Sequence, residues 1–207
     1  MRISKCLMIG FIIFPLFLAP ALAGEKQEKP VVMVMINEQI WAGDNIVYDY
    51  YGNLSNIVSI WTSVSQTDTT LISAFLEKGF KVVRGGVPNV NKGNVTKQNI
   101  LNAIEGDDFT STNLGQYLKA DVVIVGKAVA RSAAMLAKSK QQSARANINV
   151  RAIRVDTGEI IAVEGGEATA VAIDEISAGV DAIKKVASTL AENLIAKISQ
   201  VYSDQRR

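Results

Sequence analysis

Asp156-Thr157-Gly158 is the triplet with the clearest catalytic precedent in this 207-residue chain, because aspartic proteases carry their reacting carboxyl in an Asp-Thr-Gly or Asp-Ser-Gly loop. That chemistry needs two carboxyls sharing one proton. The triplet occurs once, so a protease would have to be a symmetric dimer, and Glu159 stands where a small residue is usual. The same three residues make an ordinary hairpin turn, which is the expected reading. Gly85-Gly86 with Lys92-Gly93 hints at a phosphate loop, but the order Gly-x-x-x-x-Gly-Lys-Ser/Thr is absent and Lys127 after Gly126 is followed by Ala128. Glu38, Asp44, Asp49, Asp107 and Asp108 offer oxygen ligands without the alternating spacing of a calcium loop, and Asp107-Asp108 reads as a solvated loop. The chain contains no histidine, and its one cysteine, Cys6, lies in an amino-terminal apolar run. No catalytic, metal or cofactor site is expected, and the protein reads as a non-enzyme.

The remaining chemistry is recognition. Trp41, Tyr48, Tyr50, Tyr51 and Trp61 comprise both tryptophans and three of the five tyrosines, set among glycine, asparagine and aspartate where a loop is expected. Such rings give large contact area at low entropic cost and are enriched at interfaces. They are the candidate partner-binding residues, with packing back over the sheet edge as the alternative. Arg131, Lys138, Lys140 and Arg145 form a second, basic segment, read as a solvated connector or a surface for acidic groups.

Arg2 and Lys5, the apolar run to Pro20 and Ala21-Leu22-Ala23 make a secretory signal peptide, with cleavage expected after Ala23 and export to the periplasm. A lipid anchor would need a cysteine at the cleavage site, and none is there. The expected organisation is a signal peptide at 1–23, a flexible leader at 24–30, one α/β domain at 31–202 and a polar tail at 203–207. The whole chain carries a formal charge of +2, and both excess cations leave with the signal. Nucleic acid is therefore not an expected partner. No apolar run after Ala23 is long enough for a membrane helix.

Val31 to Ile36 and Asp121 to Gly126 read as strands buried on both faces, with Phe80 to Arg84 between them. Thr67 or Asp68 caps a helix over about 68–78, and Thr96 caps a second with Ile100, Leu101 and Ile104 inward, stopped by Gly106. A short helical turn follows around Leu114 to Leu118. From Ala144 polar and apolar residues alternate, slipping at Ala152-Ile153 as a β-bulge would make them. Asp156-Thr157-Gly158 turns the chain into Glu159 to Val171, where Gly165-Gly166 allows a kink. Ile176, Val180, Ile183, Ala187, Leu190, Leu194 and Ile198 then mark a long amphipathic helix, started by Asp174 or Ser177. It suits packing across a sheet or, alternatively, a coiled-coil partner. The fold class is α/β: a mixed sheet of about five strands, three buried and then an antiparallel bulged hairpin, with two or three helices and a long carboxyl-terminal one.

Leu71 to Val83, Lys119-Ala-Asp-Val-Val-Ile-Val-Gly126, Ile148 to Ala162 and the final helix together carry a resemblance. The chain resembles the exported α/β module of the TolB amino-terminal domain, the periplasmic part of the curli-secretion channel protein and the middle domain of flagellar assembly protein T. The resemblance implies a soluble envelope module that binds or assembles with envelope proteins, self-association included, in a flagellar or secretion-related machine. Two departures from the curli family are the missing anchoring cysteine and the twelve polar, basic residues from Arg131 to Gln142 where long pore-forming hairpins are expected. A different class of function, a periplasmic protein binding a small hydrophobic or glycan ligand beside residues 41–61, is the alternative; a dimeric aspartic hydrolase is the remote third.

Overall fold

The computed structural model describes residues 29–84, 97–136 and 141–204. The expected signal peptide, the Gly85-Gly86 and Lys92-Gly93 pairs, Thr96, Lys138 and Lys140 lie outside them. Among the described residues six strands and four helices follow one another as β1 (Val31–Tyr48), β2 (Leu54–Ser63), α1 (Gln66–Glu77), β3 (Lys81–Arg84), α2 (Lys97–Glu105), α3 (Asp108–Tyr117), β4 (Val122–Leu136), β5 (Gln141–Arg154), β6 (Ile160–Ala172) and α4 (Glu175–Asp204). They form one mixed sheet in the order β2-β1-β4-β5-β6, with β3 beside the first residues of β1. β3, β1 and β4 are parallel, as their apolar runs indicate, whereas β2, β5 and β6 are antiparallel to their neighbours.

The sheet separates two cores. Even-numbered positions of β1 and β4, among them Val32, Val34, Ile40, Ile124 and Ala130, pack under α1 and α4 with Leu71, Phe75, Ile183, Leu190 and Leu194. Odd-numbered Met33, Met35, Val123 and Val125 pack with Ala103 and Leu114 of α2 and α3. This alternation is the period-two geometry of a strand covered on both faces. α4 lies directly on the sheet: a Cβ at Gly179 would come within 2.7 Å of Ile40 Cγ2 and 3.4 Å of Ala130 Cβ. The small residues Ala128, Ala130, Ala144 and Ala146, all buried, make room for that approach. The helix thus covers its own sheet and leaves no apolar seam for a coiled-coil partner along its buried residues.

The sheet has one strand more than expected, because residues 54–63 pair with β1 where a loop was expected. The described parts of the basic connector, 131–136 and 141–145, are likewise strand, in β4 and β5. The bulge falls between Ala152 and Ile153. Pairing continues in register through Gly165 and Gly166, without a bulge there. Gly165 instead leaves space for Asn149, whose Oδ1 would lie 2.7 Å from an added Cβ. Gly158, at φ +72, closes the β5–β6 turn.

Helix starts differ in instructive ways. α1 begins at Gln66, two residues before the expected start, and neither Thr67 nor Asp68 caps it. Its N-cap Ser65 makes no side-chain bond. The cap comes from β1: the Gln66 and Thr67 N–H groups donate to Glu38 at 3.0 and 2.5 Å. α3 is a ten-residue helix rather than a short turn, capped by Asp107, whose side chain accepts from the Phe109 and Thr110 N–H groups. Asp108 pairs with Arg151 at 2.6 Å. The Asp107-Asp108 pair is thus structural and not a solvated loop. Asp174 accepts from the Ser177 N–H and Oγ–H and so starts α4. Two expected inward residues face out, since Leu101 and Ile176 are exposed, and Ala103 takes the inner position on α2.

Candidate functional site

β1 changes neighbours along its length. Through Ile40, paired with Ala130, it sits against β4; from Asp44 to Tyr48 its partner is β2 alone. A register shift between Trp41 and Asp44 marks the change, with Gly43 there at φ +114. A bulge increases local twist and bends the strand that carries it. Beyond it the β1–β2 hairpin continues as a two-stranded ribbon whose apolar residues stay in solvent. Ile46 and Ile57 are paired across it, and Val47, Leu54, Val58 and Ile60 are also exposed.

Asp49 shapes the tip. Its carboxylate accepts from the Tyr51 and Asn53 N–H groups at 2.9 and 2.8 Å. These bonds, the Asn53 one first, hold its carboxyl below the ordinary range. Gly52 at φ +79 completes the turn. Tyr50 and Tyr51 meet edge to face, 97% and 84% exposed, with Tyr48 beside them at the strand end. The three tyrosines therefore do not fold back over the sheet.

The tryptophans lie at the other end of the ribbon, directly opposite one another. The Trp41 indole N–H donates to Asp44 Oδ1 at 3.1 Å, and Ser59 Oγ donates to the same oxygen at 2.6 Å. From β4, the Arg131 guanidinium lies 5.1 Å from the Trp61 ring centroid, a cation–π contact. Trp41, Ser59, Trp61, Arg131 and Ser132 line a pocket of about 270 Å³. The five aromatic candidates thus divide into an exposed tip and a pocket wall. Of the basic candidates, Arg131 joins the tryptophans and Arg145 pairs with Glu167. No sequence signal linked Arg131 to Trp61, because the contact depends on strand order.

The carboxylates considered as cation ligands are dispersed. Glu38 caps α1, Asp44 holds Trp41, Asp49 closes the turn, Asp107 caps α3 and Asp108 pairs with Arg151. Among the described residues no three metal-binding side chains lie together. Asp156 is exposed at the β5–β6 turn, 3.9 Å from Arg154.

Residues 94–200 match the family of the curli production assembly/transport component CsgG. The chain belongs to the CsgG family. The match begins just before α2 and ends within α4, so the β1–β2 hairpin lies outside it and Arg131 within it. No curated relative matches the chain. Among solved structures, the LpoB C-terminal domain from Salmonella enterica is 16% identical with a TM-score of 0.33, covering 70% of this chain and 87% of that one. The hypothetical protein CT253 from Chlamydia trachomatis is 12% identical with a TM-score of 0.45, covering 85% and 99%. The PelC dodecamer from Paraburkholderia phytofirmans is 13% identical with a TM-score of 0.42, covering 79% and 88%. Among the described residues of this CsgG-family chain, no helix is long and apolar enough to cross a membrane.

Proposed function

We propose that this CsgG-family protein is a non-enzymatic assembly or transport component of the bacterial cell envelope. In this reading it is exported to the periplasm, cleaved after Ala23, and docks onto an envelope machine, secretion-related or flagellar, through the β1–β2 hairpin. The observation that carries the reading is the hairpin itself. A two-stranded ribbon is marginally stable in water and gains nothing from apolar residues left in solvent. Ile46, Ile57, Val58 and Ile60, ending in Tyr50 and Tyr51, have the composition of an interface core. Covering them with a partner supplies the burial that the protein's own sheet does not.

The test is photo-crosslinking in the native host from a benzophenone amino acid at position 50 or 51, with Lys185 on the outer side of α4 as comparison. The expected result is a discrete adduct to one envelope protein from the hairpin positions and none from position 185; an adduct of doubled mass identifies a second copy. A folded, exported protein that gives no adduct from either tyrosine overturns the reading.

A further inference from the structure

We propose that the open part of the sheet face carrying Trp41 and Trp61 binds a carboxylate-bearing oligosaccharide. This inference is independent of what docks at the hairpin tip. Among the described residues, α2 and α3 cover the lower half of that face, over Met33, Met35, Val123 and Val125. Farther along β4 the same face presents Lys127 and then Arg131, both exposed. They stand four residues apart on one side of a strand, about 13 Å. Beside them on β5 are exposed Asn147 and Asn149, joined by an amide hydrogen bond of 2.6 Å.

The composition of this face selects its ligand. Lys127 and Arg131 have no carboxylate within ion-pair distance among the described residues, whereas neighbouring Arg145 is paired with Glu167. Two uncompensated cations call for an anion, and a guanidinium matches a carboxylate in two parallel hydrogen bonds. The backbone beneath is already used, since Lys127, Asn147 and Asn149 are each paired on both sides. An extended peptide gains affinity from main-chain pairing, which this face does not offer. What it offers is flat and made of side chains: indole rings for the C–H face of a sugar, and amides that donate and accept to vicinal hydroxyls. Two cations without a carboxylate partner, in a chain of formal charge +2, are too few for the basic footprint of a nucleic-acid site. The pocket at Trp41, Trp61 and Arg131 holds one sugar ring, and Lys127 meets a second carboxylate farther along.

Calorimetric titration of the purified, folded protein with tetragalacturonate tests this, alongside its methyl ester, poly-glutamate and a thymidine oligonucleotide. The expected result is saturable binding of tetragalacturonate and none of its ester. Arg131→Gln and Lys127→Gln should each weaken it at least tenfold, with Lys184→Gln on the opposite face as an unchanged control. Because Arg131 also touches Trp61, Lys127→Gln separates loss of charge from a disturbed pocket. Absence of binding, equal binding of the ester, of poly-glutamate or of the oligonucleotide, or wild-type affinity in Lys127→Gln and Arg131→Gln overturns the proposal.

Discussion

Glu38 is 3% exposed, sits on a strand, and serves as the cap of a helix that starts 28 residues later. Replacing it with alanine removes the acceptor of two N–H groups in the first turn of α1. An orphaned buried donor costs about 1–3 kcal/mol. Thr67 is fully buried, so its N–H group bears the larger share, whereas Gln66 is half-buried and water reaches its N–H. Returning a buried carboxylate's desolvation cost offsets part of the loss. The net expectation for Glu38→Ala is about 2 kcal/mol, which for a domain of this size lowers Tm by roughly 4–8 °C. Glu38→Gln keeps one acceptor oxygen and should lose about half as much. Ser65→Ala is the internal control, because Ser65 holds the N-cap position without a side-chain bond, and should stay within about 0.5 kcal/mol. Urea unfolding followed by circular dichroism reads all three. A Glu38→Ala variant within about 0.5 kcal/mol of wild type, or a Ser65→Ala variant that loses as much as Glu38→Ala, would show that the strand carboxylate is not the cap.

Asp107 and Asp174 are held below the ordinary carboxylate value of 3.8, chiefly by Thr110 and Ser177 respectively. Since their native values lie below the unfolded ones, their contribution is complete above about 3.8 and fades as pH falls through the native values; the double variant Asp107→Asn, Asp174→Asn should flatten acid unfolding below pH 4. Gly126→Ala would put a Cβ 2.2 Å from the Asn149 backbone oxygen and 2.8 Å from Val150 Cα, forcing β4 and β5 apart. A loss of about 3 kcal/mol or failure to fold is expected, read by thermal unfolding, and wild-type stability would contradict that packing. Arg131→Gln releases the cation held over Trp61, so hydrogen exchange should quicken in the 44–61 amides and stay unchanged in α4; equal protection throughout would mean the contact does not anchor the ribbon.

Legibility in the sequence follows how many faces of an element are buried. Val31 to Ile36 and Val122 to Val125 are covered on both sides, so the apolar runs stand out, and α4 carries a long 3.6-residue stripe. The slip at Ala152-Ile153 was readable because one alternation gave way to the opposite phase. The β1–β2 hairpin was not readable, for the converse reason. Both faces of the ribbon meet solvent, so adjacent Ile46-Val47 and Ile57-Val58 point to opposite sides and no period-two pattern forms. Gly43 and Asp44, at the bulge, reinforce the appearance of a loop. Glu38 did carry a usable signal: it shares the even-numbered face of β1 with Val34, Ile36 and Ile40, and a carboxylate at a core position requires a partner. What the sequence withheld was the partner, because Gln66 and Thr67 reach it through the fold.

β1 accordingly performs two tasks. Its first ten residues lie in the sheet under α1 and α4, while its last eight leave the β4 edge and present side chains to solvent. The junction is where a free ribbon would fray, and the stabilising contacts gather there: Gly179 brings α4 onto Ile40, Asp44 ties Trp41 to Ser59, and Arg131 reaches Trp61 from β4. A ribbon serving only as an edge of the sheet would need no such attachment and would gain from polar residues at Ile46, Ile57 and Val58. A firmly rooted, apolar, aromatic-tipped hairpin is instead what a docking element requires, since each contact formed at the root lowers the ordering cost paid when a partner binds.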